Sequence, residues 1–262
     1  NENVPYDRFM ESIVAGYGNT KDDPELIALA RWRQQPENMA GTVSRAFLGK
    51  QIQYAQCHDH LENPVLTREK FWEFAAFFES TRVIPVLGEN GRPTRHFEVH
   101  SRSPRFVSVI PDTDIQVRPT YLDGTPAKHE TVNENGEALD RRTARLAFRK
   151  AREFQREARE ARMNADGQQD QRMVIEFANR FQKEMPFLRD TRRDQLAGII
   201  LERDAMQFSR NFVNRLWARY FGRGMRYPVD SWETGTESDH AELLDALARE
   251  FITSGYNIKH ME

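Results

Sequence analysis

Cysteine is almost absent: Cys57 is the single one in 262 residues. A lone cysteine forms no internal disulfide, so cross-links play no part in holding this chain. No apolar run approaches the roughly 20 residues that a helix needs to cross a bilayer. No sign of charge prevails. Charged residues make up 30% of the chain, yet the formal net charge is −2. That balance gives no global electrostatic case for nucleic acid or membrane. Phosphate-binding loops, nucleophile elbows and zinc-protease helices are all missing. No secretory leader is visible, and the chain begins at Asn1 rather than Met, so a mature or excised fragment is expected.

What is present is concentrated around the one thiol, in Tyr54-Ala55-Gln56-Cys57-His58-Asp59-His60. Cys57-His58 is the second half of a c-type haem attachment motif. In the full motif two thiols bond the haem vinyl groups and the histidine ligates iron. Tyr54 stands where the first cysteine belongs. The sequence therefore points to haem c held by one thioether through Cys57, with His58 on the iron and Tyr54 against the porphyrin edge. The alternative is a motif that has lost haem, with Cys57 as a small hydrophobe. A third reading makes Cys57, His58, Asp59 and His60 a zinc or transition-metal cluster. Adjacent side chains rarely converge on one ion, so His96 and His100 would have to complete it from a strand. Nucleophilic catalysis by Cys57 with His58 lacks an orienting third group. No catalytic residue is assigned, and whether the chain is an enzyme stays open.

The periodicity predicts helices over 5–16, 22–35, 38–53 and 67–79, the last with Phe71, Phe74, Ala75 and Phe78 at helical spacing. Valine, proline and glycine then dominate 81–126, which reads as short strands joined by turns. Residues 138–165 are helix-favouring and carry nine arginines and lysines. A further helix over 169–183 would complete a charged hairpin. Helices over 191–203, 205–221 and 240–254 follow, with Ser238 or Asp239 capping the last. The fold class expected is mainly α with a small β-rich subdomain, a helical core and a protruding charged helical hairpin.

Several runs resemble one family. They are Pro5-Tyr6-Asp7-Arg8-Phe9, Phe47-Leu48-Gly49, residues 53–60, the aromatic helix 71–78, and Arg118-Pro119-Thr120-Tyr121-Leu122-Asp123-Gly124. The family is known from planctomycetes: large, exported, cytochrome-associated proteins with paired domains of unknown function. A second block resembles the start of the companion domain: residues 212–224, Pro228-Val229-Asp230 and 240–245. The resemblance implies a cytochrome c-like domain over 1–126, a charged insertion over 127–189, and the companion helical domain from 190 to 262. It implies haem-c-type electron transfer or redox chemistry with an unidentified redox partner, in an exported, periplasmic or cell-envelope setting. The arginine-rich stretch 138–165 offers a face for oligomerisation or for an anionic partner, set against the bland reading of a solvated helix with internal ion pairs.

Overall fold

The computed structural model describes residues 3–33, 35–61, 63–88, 92–101, 107–133, 135–163, 189–232, 238 and 240–262. The first helix, α1 (Tyr6–Val14), starts after Pro5, whose fixed φ suits a helix entry, and buries Met10, Ile13 and Val14. A one-turn 3-10 segment, Pro24–Leu26, leads into the short α2 (Ile27–Ala30). The predicted helix over 22–35 is thus cut short. Arg33 takes a positive φ of 52°, which ends the turn.

Pro36 opens α3 (Pro36–Val43), so this helix starts before the predicted residue 38. It then loosens into a π-helical segment, Ser44–Leu48. Gly49 closes that segment with φ of 71°. The Lys50 N–H returns to the Ser44 carbonyl at 3.1 Å, as in a glycine-terminated helix end. The predicted helix over 38–53 therefore stops at Gly49, and a 3-10 turn, Ile52–Ala55, carries the chain onward. The aromatic helix is α4 (Arg68–Ala75); its N-cap Thr67 accepts the Lys70 N–H at 3.2 Å. Phe71, Phe74, Phe77 and Phe78 are all buried.

A long hairpin follows, β2 (Thr81–Leu87) and β3 (Pro93–Ser101), antiparallel with Val83 opposite Val99. A third strand, β1 (Gly18–Asn19), pairs with β3 from the other side. Two smaller antiparallel pairs are β4 (Ser108–Val109) with β5 (Gln116–Val117), and β6 (Thr131–Val132) with β7 (Arg189–Asp190). The charged helix α5 (Arg141–Met163) is followed, after β7, by α6 (Arg192–Arg203), α7 (Ala205–Phe221) and α8 (Ala241–Thr253).

The expected fold class is corrected by this arrangement. Among the described residues the chain is a mixed α/β structure with eight α-helices and three small sheets, and the strands form no separate subdomain. The reason is recruitment at long range: β3 takes its partner β1 from before α2, and β6 takes β7 from directly before α6. One hydrophobic core accordingly contains Met10, Phe47, Phe74, Val99, Val117 and Ile200 together. Of the expected charged hairpin, the first limb is α5. Its exposed residues include Arg145, Arg149 and Arg156, while Ala144 and Phe148 are buried. The second limb, 169–183, lies outside the described residues.

Phe208 and Phe212 do not use the aromatic helix as their ring partner. Their rings meet Tyr6, at 5.1 and 4.4 Å between centroids, and Phe212 stacks on Phe251 at 4.4 Å. Tyr220, at helical spacing from Phe212, is exposed.

Candidate functional site

The motif loop leaves the 3-10 turn Ile52–Ala55 and ends at Thr67, where α4 begins. Its first carbonyl is clamped twice. Gln56 O accepts the indole N–H of Trp72 at 3.1 Å and Nε of Arg68 at 3.3 Å. Arg68 also reaches the Pro111 carbonyl at 2.8 Å, which ties the loop to the turn after β4. Asp59 accepts the Arg68 backbone N–H at 2.8 Å, so its carboxylate works as a second cap on α4. His60 accepts the Asn63 N–H on Nδ1 at 3.1 Å, and its backbone N–H meets the Leu66 carbonyl at 3.0 Å. Two of the four clustered residues are thus engaged in shaping the loop.

Cys57 and His58 are exposed. Nδ1 of His58 lies 2.8 Å from the Asp59 carbonyl oxygen. A carbonyl only accepts, so Nδ1 carries a proton, which leaves Nε2 as the ring nitrogen not engaged by that carbonyl. Cys57 lies on a cleft of about 370 Å³, bounded on its apolar side by Trp72, Val109 and Pro111. Arg68, Glu37 and Asp112 line the same cleft. Tyr54 is 64% exposed and meets His60 edge-on at 5.8 Å between ring centroids. Cys57 offers the thiol for one thioether and His58 a ring nitrogen for iron, while His58 and Tyr54 are not among the residues that line the cleft. Tyr54 offers no thiol for a second.

The metal cluster is not assembled. Among the described residues, no three His, Cys, Asp or Glu side chains stand close enough to hold an ion. Asp59 and His60 turn to their own hydrogen bonds, and His96 and His100 sit on β3. Burial pushes the His100 pKa down to about 4. Among the described residues no helix is long and apolar enough to cross a membrane.

Sequence reasoning missed a second polar centre beneath the motif. Tyr121 donates its hydroxyl to Asp204 at 2.7 Å, and Lys50 lies 3.4 Å from the same carboxylate oxygen. Burial, and then the Asp204 charge, raise the Tyr121 pKa, so the hydroxyl stays protonated. A cleft of about 180 Å³ near this group is lined by Lys50, Asn63, Lys70 and Trp232 among others. Nothing local in the sequence joins residues 50, 121, 204 and 232; only the fold does.

Two family models match the chain. Residues 1–83 match PSCyt2, described as a protein of unknown function (DUF1549). Residues 192–262 match PSD1, likewise described as a protein of unknown function (DUF1553). No curated protein and no solved structure matches it. The motif loop lies within the first match, and Asp204 and Trp232 within the second. Residues 1–83 therefore belong to PSCyt2 and residues 192–262 to PSD1, the planctomycete cytochrome c-like paired-domain families of unknown function.

Proposed function

We propose that this chain is a haem-c-type electron-transfer domain in which Cys57 holds the cofactor by one thioether and His58 provides an axial iron ligand. The observation that carries the reading is the contact between His58 Nδ1 and the Asp59 carbonyl. That Nδ1–H is held by the carbonyl, which leaves Nε2 to coordinate, as in histidine ligands oriented by a second hydrogen bond. Cys57 would hold the group through one thioether, its S–H adding across a vinyl group with the sulfur on one carbon and the hydrogen on the other. Bound haem would supply a one-electron carrier. The protein's own share is to present the thiol at the cleft and to line it with Trp72 and Pro111. This reading puts the chain in an exported, periplasmic or cell-envelope compartment with a redox partner.

The test is expression beside active haem-attachment machinery, followed by absorption and intact mass. A Soret band and a haem-sized mass increment are expected. Cys57→Ala should lose the covalent increment, and His58→Ala should lose the low-spin spectrum. Absence of both signals in the unaltered chain would favour a binding or structural domain without haem. One observation supports that second reading: Trp72 and Arg68 already hold Gln56 in place using protein groups alone.

We also propose that α5 meets an anionic partner. Arg141, Arg145, Arg149 and Arg156 are exposed and recur at helical spacing on one side. Ala144 and Phe148, on another side, are buried at 6% and 3% exposure. Guanidinium groups bind carboxylate, sulfate or phosphate through paired N–H donors. Retention on a sulfated matrix should fall when Arg145, Arg149 and Arg156 become Gln, and elution by modest salt should reveal the same contact.

A further inference from the structure

The last carbonyls of an α-helix have no partner within the helix. In the PSCyt2 segment, several helix ends find theirs on side chains from the PSD1 side. The π-helical end at 44–48 shows this most fully. Arg215 donates to the Arg45 carbonyl at 2.9 Å, Asn211 to Ala46 at 2.7 Å and Gln207 to Leu48 at 2.6 Å. These three donors are one helical turn apart on α7, so one face of that helix reads three of the four carbonyls from 45 to 48. The Trp232 backbone N–H takes the next one, Gly49, at 3.1 Å.

The other two ends are closed by adjacent arginines. Arg192 donates to the Ala76 carbonyl, beyond α4, at 3.0 Å. Arg193 donates to Val14, the last residue of α1, at 3.1 Å and to Gly16 just beyond it at 2.8 Å, with its guanidinium 4.0 Å over the Tyr17 ring. Both arginines are fully buried. Asp190 neutralises Arg192 through contacts of 2.6–2.9 Å. Cations at helix C-termini also meet the negative end of the helix dipole. A buried arginine left without these carbonyls would be costly, and so would the carbonyls without their donors.

We infer that the PSD1 side is a recognition surface for the open helix ends of the PSCyt2 segment, and that the two remain a non-covalent complex when the chain between them is cut. The recognised chemistry is a set of backbone carbonyls, read by guanidinium and amide donors and independent of any cofactor. It bears on the motif loop because the capped end at 44–49 leads directly into Ile52–Ala55.

The test uses the full chain with one protease site inserted between 170 and 180. After cleavage, both pieces should leave a sizing column together at roughly 1 μM, with native mass spectrometry giving a 1:1 complex. Separation into two species, or precipitation on cutting, overturns the inference. Gln207→Leu and Arg215→Met remove donors at the accessible rim. Uncut, these variants should stay folded, because the covalent link keeps the effective concentration of the two sides high. Once cut, they should dissociate about tenfold more readily than the unaltered cut chain. If they dissociate no more readily, carbonyl capping is not the recognition and the inference fails.

Discussion

Gly49 carries more of the fold than its size suggests. Its φ of 71° lies in the left-handed region, and a β-carbon there would collide with Trp232 and Asn211. Gly49→Ala should therefore cost about 2–3 kcal/mol, combining left-handed strain with overpacking. Thermal unfolding would check it, and an unchanged midpoint would exclude the role. His100 gives a pH-dependent counterpart. Its folded pKa of about 4 lies below the unfolded value near 6.5, so the unfolded chain binds the proton more readily. Stability from this residue is complete above pH 6.5 and is lost as pH falls towards 4, by about 3 kcal/mol in all. His100→Gln should flatten that part of the stability profile. At this scale the sequence marks Cys57 and His58 clearly, because their pairing is local. It does not mark Asp59 as a cap or His60 as an acceptor for Asn63. Those roles depend on where the chain returns after the loop.

The elements show the same division between local and distant causes. Helix α7 is legible over its full predicted span of 205–221, since its apolar spacing and Gly222 stop are written into one stretch. The third predicted helix is not, because a π-helical turn and a left-handed glycine intervene where periodicity alone sees an unbroken pattern. Strand length also escapes the pattern. The β2–β3 hairpin is long, whereas β4 and β5 are two residues each, and pairing decides that difference. In α5, Ala144 and Phe148, four positions apart, form a buried apolar side that the surrounding run of charges hides. Thr67→Ala should remove the α4 cap and cost about 1 kcal/mol. Faster amide exchange at Lys70 would accompany it; no change at that amide would show that Asp59 suffices.

The whole molecule is where sequence reading diverged most. A β-rich stretch between helical blocks reads as its own subdomain when each stretch is judged by its composition. The fold instead pairs β1 with β3 and β6 with β7, across helices in both cases. Such pairings have long sequence separations and leave no local trace. Two buried clusters, one around Phe74 and Ile200 and one around Val213 and Phe251, share Tyr6 and Tyr256, and that continuity predicts a single transition. Trp72 and Trp232, one in each family segment, should report the same midpoint on heating, whereas two midpoints would mean independently folding parts. Asp190→Asn should lower that common midpoint. It weakens the carboxylate partner of buried Arg192, and breaking a buried pair typically costs about 3–5 kcal/mol.

The doubly bonded carbonyl of Gln56 has one more consequence. With Trp72 and Arg68 both donating to it, that oxygen is supplied without help from solvent. The backbone leading to Cys57 has therefore surrendered its conformational entropy during folding. A molecule arriving at Cys57 meets a preorganised edge and does not have to order it. Its association should show a small heat-capacity change and a rate set by encounter rather than by loop closure. Trp72→Phe keeps the ring and removes the donor, and it should slow that capture while leaving the thiol in place.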